Sequence, residues 1–137
     1  MDTNRDFSRV ETVDRLLLER FLSPYKPDCQ YLKHAQFYYP PDGLDKKSLG
    51  FIKGDFAIEE SCYIDDTGHF NSVEINICYN KIFYVLIANM LQNHLLMKMS
   101  DWDLEIYKRR QLSDFLITRF SSTFRKPVDA RAFQVML

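Results

Sequence analysis

The stretch that decides the fold is residues 71–91, NSVEINICYNKIFYVLIANML. It opens with a capping-box pattern: the Asn71 side chain can accept hydrogen bonds from the first turn, and Glu74 can reach back to the Asn71 backbone. Apolar residues then cover most of the circumference of the helix that this spacing predicts. Because a helix that is apolar nearly all round has to be buried, we expect residues 71–91 to form the central helix of the domain.

One polar row interrupts the apolar surface of this helix. Asn76, Asn80 and Tyr84 follow one another at four-residue spacing, which places them on a single face. An amide inside an apolar helix has to find hydrogen-bond partners, or it costs on the order of 1–3 kcal/mol. Tyr84 or a buried water could satisfy Asn80 in a packed core, and so could a bound substrate. Both interpretations remain open.

The segment before the helix, residues 63–71 (YIDDTGHFN), concentrates polar groups at the helix N-terminus. Free N–H groups and the positive end of the helix dipole suit a carbonyl oxygen that gains negative charge. Gly68 would let the backbone approach a ligand, His69 has an unperturbed pKa near neutrality, and Tyr63 and Asn71 offer neutral hydrogen bonds. The structural alternatives are a helix cap at Asn71 and an ordinary solvated turn.

The N-terminal part of the chain predicts one helix and a hairpin. Residues 8–11, SRVE, fit a second capping box, and apolar residues at helical spacing then predict about three turns of helix that end at Pro24. Residues 30–39 and 49–60 are two predicted strands joined by a polar turn. Such a pattern is typical of an antiparallel hairpin.

After the central helix, the residues 100–103 are expected to cap a short helix that ends near Arg110. Residues 115–125 are a predicted strand, and residues 133–137 begin another. A buried central helix with antiparallel strands before and after it is the hot-dog arrangement, an α+β fold in which the sheet wraps around the helix.

The number of predicted strands is small for that arrangement. There are three strands and the beginning of a fourth, whereas sheets average about five or six strands. The sequence also ends in an apolar run, AFQVML. We therefore expect one hot-dog domain over residues 1–137 that lacks its C-terminal strands. The alternative is that the last residues form an ordinary edge strand.

Composition and charge narrow the function classes. With 137 residues, 46% of them apolar, the chain can form one domain with a core. Eighteen basic and nineteen acidic residues give a net charge of −1, which does not favour nucleic acid or an anionic membrane as partner. Residues 108–110, KRR, are interpreted as a solvated helix end. No signal peptide or membrane span is evident, so a cytoplasmic location is expected.

The cysteines argue against a metal site. Cys29, Cys62 and Cys78 are odd in number and lack C-x-x-C spacing. This pattern fits neither a zinc site nor a disulfide framework, and it favours a reducing compartment. We expect no metal and no cofactor.

Two segments resemble a known family. Residues 60–80, ESCYIDDTGHFNSVEINICYN, and residues 121–127, SSTFRKP, are similar to the FcoT-like hot-dog thioesterases, as are LSPY at residues 22–25 and QLS at residues 111–113. The resemblance runs from about Val13 to the last residue. It implies a hot-dog oligomer that acts on acyl thioesters.

The resemblance also implies site residues. This family lacks the acidic catalytic residue of other hot-dog thioesterases and is thought to use tyrosine and asparagine. Its motifs place the catalytic candidates in SPY, SCYI, GHFN and CYN of this sequence, at Tyr25, Tyr63, Asn71 and Asn80. The expected substrate contacts are Gly68, His69 and Tyr84, with His69 also a candidate base.

The leading prediction for function is hydrolysis of fatty acyl thioesters on coenzyme A or an acyl carrier protein. Similar proteins also act in isonitrile lipopeptide pathways, where glycine is thought to add to the β-carbon of an unsaturated acyl thioester. That addition is the first alternative, and a non-catalytic acyl-binding subunit is the second. In each case we expect a homodimer or higher homo-oligomer, with an acyl tunnel between protomers.

Overall fold

The computed structural model describes residues 9–40, 50–61, 63–65 and 70–137. Within these ranges the chain forms four strands, three α-helices and two single-turn 3₁₀ helices. The strands are β1 (Arg9–Thr12), β2 (Leu32–Tyr39), β3 (Phe51–Phe56) and β4 (Phe133–Met136), and the α-helices are α1 (Arg15–Leu22), α2 (Ser72–Gln92) and α3 (Leu104–Arg110). The 3₁₀ turns are Pro27–Cys29 and Met97–Met99.

The strands form one antiparallel sheet in the order β1-β2-β3-β4. Phe37 pairs with Ile52 between β2 and β3, and Gly54 pairs with Val135 between β3 and β4. The predicted hairpin and the predicted strand near residue 133 are therefore confirmed. Together with the long helix against the sheet, this is the expected α+β, hot-dog-like fold; the extent of the domain stays a prediction.

Helix α2 begins at its predicted capping box. The Asn71 Oδ1 accepts from the backbone N–H groups of Val73 (3.1 Å) and Glu74 (3.2 Å), and the Glu74 Oε2 accepts from the Asn71 N–H at 3.1 Å. The helix packs on the inner face of the sheet and on α1. The central position expected for residues 71–91 is confirmed.

The helix comes unusually close to the sheet at Gly54 of β3. A Cβ at this position would lie 2.8 Å from Leu32 Cδ1 and 2.9 Å from Ile82 Cδ1. Carbon atoms cannot approach so closely without displacement. A glycine therefore lets α2 settle onto the centre of the sheet.

The first helix starts later than the sequence indicated. Residues 9–12 form β1, whose Arg9 pairs with Tyr39 of β2, and α1 is capped by Asp14, whose Oδ1 accepts from Leu16 N–H at 2.7 Å. The predicted capping box at residues 8–11 is wrong, because Glu11 lies in a strand and accepts from the Tyr39 hydroxyl at 2.6 Å. Strand pairing here overrides a local capping pattern.

The predicted strand at residues 115–125 is also wrong. This segment is irregular, and in the described part of the chain its backbone joins no sheet. Its rings contact α2 and the turn before it instead, since the centroids of Phe115 and Phe83 lie 6.0 Å apart and those of Phe120 and Tyr79 lie 5.6 Å apart. The position beside β3 that such a strand could take is occupied by β4.

The short third helix agrees with its prediction. Asp103 caps α3, with its Oδ1 accepting from Ile106 N–H at 2.8 Å, and Tyr107 donates from its hydroxyl to the Tyr84 carbonyl at 2.9 Å. Lys108 departs from the expected solvated end, because its Nζ donates to the Arg20 carbonyl at 2.8 Å. Among the described helices, none combines the length and apolar character that crossing a membrane requires.

Candidate active site

Helix α2 presents two different sides, which we name by their residues. The outer face consists of Asn76, Tyr79, Asn80 and Phe83, which are all partly buried. The core face consists of Glu74, Cys78, Lys81, Val85 and Asn89, which are all buried. The two faces lie on opposite sides of the helix, because their members differ by about half a turn in helical angle.

The outer face borders a cavity of about 350 Å³ between α2 and residues 114–120. Asn80 and Tyr84 both line this cavity. The Asn80 Nδ2 donates to Asn76 Oδ1 at 3.1 Å, so the two amides satisfy each other in part. The four-residue polar row is therefore real, and the remaining hydrogen-bonding capacity of Asn80 faces a space that a ligand could enter.

A larger open cleft lies at the first turns of α2. It has a volume of about 640 Å³, and most of its wall is aromatic or aliphatic. We call it the aromatic cleft; its lining includes Phe70, Ile75, Tyr79, Phe120, Phe124, Arg125, Lys126, Val128 and Phe133. Asn71 and Ser72 border an adjoining space of about 600 Å³ that shares Phe70 and Phe124. An apolar groove with a few polar groups at one end is typical of a site for a long acyl chain.

Asn71 is a helix cap in this structure. Its Oδ1 is engaged with two backbone N–H groups, which leaves its Nδ2 as the group that can donate to a ligand. The structural interpretation of Asn71 is thus confirmed, and a catalytic role for its amide stays a prediction.

Tyr25 lies in a cluster of three tyrosines. It follows α1 and is partly buried; burial, followed by the charge of Tyr84, raises its pKa well above the usual range for tyrosine. The pKa of Tyr107 is raised by burial and then by Tyr84 and Tyr25. These phenols stay protonated, so Tyr25 is a hydrogen-bond donor rather than a base.

The remaining predicted residues are not gathered with this cluster. The side chain of Tyr63 is 44% exposed, and within the described chain it makes no hydrogen bond. Gly68 and His69 lie outside the described residues. The structure therefore brings Tyr25 next to Tyr84 and places Asn80 and Tyr84 on one cavity, while Asn71 and Tyr63 are elsewhere.

Sequence reasoning missed two polar residues of the core face, Lys81 and Asn89, and predicted Glu74 only as part of the helix cap. Glu74, Lys81 and Asn89 are 0%, 0% and 6% exposed, respectively. Within the described residues, the Glu74 Oε1 and the Asn89 Nδ2 have no hydrogen-bond partner. The signal was present in the helical spacing, because Lys81 falls three residues after Cys78 and four before Val85. No role was predicted for Lys81 from the sequence.

The ammonium group of Lys81 lies between two aromatic rings. Its Nζ is 4.2 Å from the ring centroid of Tyr25 and 4.7 Å from that of Tyr31. Cations are attracted to aromatic faces at such distances. A catalytic candidate thus touches a buried positive charge.

The described residues offer no group of three histidine, cysteine or acidic side chains that could hold a metal ion. Cys29 and Cys78 are not in disulfides. The absence of a cofactor stays a prediction.

Comparison with known proteins identifies close similarity to one family. The FcoT-like thioesterase domain matches residues 20–137 of the chain. A (2E)-enoyl-ACP glycyltransferase of Streptomyces coeruleorubidus is 45% identical over 120 residues, which cover 88% of this chain and 69% of the relative.

Mycobacterial relatives carry the same name. The (2E)-enoyl-ACP glycyltransferase of Mycobacterium tuberculosis H37Rv is 38% identical over 122 residues, and that of Mycobacterium marinum is 35% identical over the same length. In both comparisons the match covers 88% of this chain and 63% of the relative. The chain thus spans somewhat under two thirds of these mycobacterial proteins.

These relatives correct the leading prediction for function. Hydrolysis of the thioester was expected first, with glycine addition as the alternative. The relatives that match 88% of the chain are named for glycyl transfer to an enoyl-ACP. The leading prediction of hydrolysis is therefore wrong, whereas the family match and these relatives support the coarser prediction of an enzyme that processes acyl thioesters.

Proposed function

Because the chain belongs to the FcoT-like thioesterase family, we propose that it adds glycine to the β-carbon of a (2E)-enoyl thioester held on an acyl carrier protein. The observation that carries this proposal is the 45% identity, over 88% of the chain, to a protein named (2E)-enoyl-ACP glycyltransferase. The aromatic cleft at the start of α2 supports it, since it suits an acyl chain.

The reaction is a conjugate addition. The neutral amine of glycine forms a bond to the β-carbon, and the electrons of the carbon–carbon double bond move to the thioester carbonyl as an enolate. The amine then loses a proton and the α-carbon gains one, so the thioester bond remains intact. The protein has to stabilise the enolate oxygen, orient the amine and keep water from the thioester.

The aromatic cleft and its rim provide the binding surface. Phe70, Phe120 and Phe124 offer apolar area to the acyl chain. Arg125 and Lys126 lie at the same cleft and carry positive charge, which complements the phosphate of the carrier's pantetheine arm. We place the acyl chain in the aromatic cleft and the thioester where this cleft meets the cavity of Asn80 and Tyr84, since Tyr79 and Phe120 line both spaces.

Neutral donors supply the stabilisation of the enolate. Tyr25 stays protonated because burial raises its pKa, and Asn80 has an amide directed to the cavity it shares with Tyr84. Both can donate to an oxygen that gains charge. Tyr63 is exposed, and we propose that it completes the site of a second copy of the chain in a homo-oligomer.

The test is a turnover assay on the purified chain with a (2E)-enoyl-ACP and glycine. Mass spectrometry of the carrier protein should show the mass of one added glycine, with the thioester intact. The matched control is the saturated acyl-ACP of the same length, which lacks the double bond and therefore has no electrophilic β-carbon.

Two other outcomes would overturn the proposal. Release of free carrier thiol without an adduct would mean hydrolysis, and acyl-ACP binding without any product would mean a non-catalytic subunit. Light scattering on the same sample tests the homo-oligomer, and activity from a monomer would exclude a role for Tyr63 across an interface.

A further inference from the structure

Lys81 is a buried cation in the centre of the domain. The residue is 0% exposed, and it lies on the core face of α2 rather than on the face that borders a cavity. Taking an ammonium out of water is costly, and lysine is rarely buried without a specific role or partner. Its contacts are therefore informative about what it does.

One of the two rings that contact Lys81 is held rigidly. Tyr31 is 2% exposed, and its backbone has φ 58°, which a residue with a side chain adopts only when its surroundings hold it there. Its hydroxyl donates to the Glu60 carbonyl at 3.2 Å, and its own carbonyl accepts from Ala57 N–H at 3.0 Å. Tyr31 thus fixes one side of the ammonium.

The other ring belongs to Tyr25, which is less deeply buried than Tyr31. Tyr25 follows the C-terminus of α1, where its N–H donates to the Leu22 carbonyl at 3.0 Å, and it keeps part of its surface exposed. The Lys81 Nζ lies closer to the Tyr25 ring than to the Tyr31 ring, at 4.2 Å against 4.7 Å. The ammonium therefore contacts both the partly exposed ring of Tyr25 and the buried ring of Tyr31.

We propose that Lys81 is a positioning residue for Tyr25: its ammonium, seated on Tyr31, holds the Tyr25 ring so that the phenol can donate to the substrate. The ammonium is too deeply buried to contact a substrate itself. A positive charge on the ring face also makes a phenol a stronger donor, because it draws electron density from the oxygen. This inference rests on the proposed function, in which Tyr25 touches the enolate oxygen.

A purely structural lysine predicts a different result. When a buried charge serves only the fold, its replacement by an apolar residue of similar length changes stability but leaves kcat per folded molecule unchanged. Lys81→Met should then keep full activity. If Lys81 positions Tyr25, Lys81→Met should stay folded and lower kcat about tenfold or more, with a smaller effect on KM.

A double-mutant cycle distinguishes these roles. Glycine addition is measured for Lys81→Met, Tyr25→Phe and the double variant. If Lys81 acts through Tyr25, the double variant should be no slower than Tyr25→Phe alone, since the phenol that Lys81 positions is already gone. Independent, multiplied losses would overturn the proposal, and so would wild-type kcat in Lys81→Met. Lys81→Arg should recover part of the activity.

Lys108→Met is the matched control. The Lys108 Nζ also lies over an aromatic ring, at 5.7 Å from the Phe21 centroid, and its hydrogen bonds go to the Arg20 carbonyl and the Ser23 hydroxyl rather than to the Tyr25 ring. This variant should lose stability and keep kcat per folded molecule.

A second measurement does not depend on activity. In protein labelled with ¹³C-tyrosine, Lys81→Met should shift the Tyr25 ring resonances and speed the flipping of that ring, whereas Lys108→Met should not. If the Tyr25 resonances are the same in Lys81→Met as in the wild type, the positioning role is overturned, whatever the activity of the variant. If the wild-type chain fails to add glycine but these shifts appear, the proposed function fails while the contact of Lys81 with Tyr25 stands.

Discussion

The two faces of α2 differ in how their polar residues are accommodated. On the outer face, Asn80 donates to Asn76, and both side chains are partly exposed. On the core face, Glu74, Lys81 and Asn89 are buried within an apolar cluster. A polar group costs more the deeper it lies, so the less conspicuous set is under the stronger physical constraint.

This difference shows how a polar residue in an apolar helix should be interpreted. Residue type made Asn76 and Asn80 conspicuous in the sequence, whereas helical position decides which polar residue is buried. We expect variants of the outer face to affect turnover first, and variants of the core face or of its sheet contact to affect stability first, with Lys81 the exception because it acts through Tyr25. The following experiments test that division.

Asn80→Ala should have the largest effect. Its amide borders the cavity that it shares with Tyr84, and loss of a preorganised donor costs about 10²-fold in kcat or more. The fold should survive, because within the described residues the substitution removes only one hydrogen bond, the one to the partly exposed Asn76. Steady-state glycine addition and the melting temperature measure the two quantities. Asn76→Ala is the control, with a smaller loss; normal turnover of Asn80→Ala would reduce the residue to helix packing.

Gly54→Val should come next, through the fold alone. The new side chain would collide with Leu32 and Ile82, and α2 would have to move away from the sheet. Overpacking of this kind costs about 1–3 kcal/mol of unfolding free energy, measurable by urea titration. Asp55→Val on the exposed side of the same strand is the control and should change stability little. A neutral Gly54→Val would show that α2 can shift on the sheet.

Asn71→Ala removes the cap that begins both faces. The side chain accepts from two N–H groups, so its loss should cost about 1 kcal/mol of stability. Asn71→Asp keeps the acceptor and should keep the stability. If Asn71→Asp nonetheless loses glycine addition while it melts normally, the Nδ2 group has a role beyond capping.

Asn89→Leu should have the smallest effect. Within the described residues, the Asn89 Nδ2 is buried without a partner, and replacing such a group by an apolar one of similar size ranges from neutral to a gain of about 1 kcal/mol. Thermal unfolding measures the change. A clear loss of stability would instead show that the Asn89 side chain makes a hydrogen bond that stabilises the core face.

Much of the fold could be predicted from sequence because its signals are local. The α2 capping box and the α3 cap act over three or four residues, and periodicity identifies β2 and β3. Residues 9–12 and 115–125 were assigned wrongly because pairing in a sheet depends on partners far along the chain. A local sequence pattern does not show whether the edge of another strand is available for pairing.

The candidate site was less predictable for a related reason. Family motifs named Tyr25 and Asn80. The contact between Lys81 and Tyr25, however, joins α2 to the segment after α1, which lies far away in the sequence. The spacing of residues within α2 does not indicate which aromatic rings Lys81 contacts. The choice between hydrolysis and glycine addition was equally outside local pattern, since both reactions use the same acyl thioester.

The order of strands in the sheet has a consequence for folding kinetics. β1, β2 and β3 are joined by comparatively short connections, whereas β4 pairs with β3 only after α2 and α3 have intervened. Closing the longer loop costs more chain entropy, so we expect the β3–β4 ladder to form after the folding transition state. Val135→Ala should then accelerate unfolding and leave the refolding rate nearly unchanged in stopped-flow experiments, whereas Ile52→Val, at the β2–β3 pairing, should slow refolding.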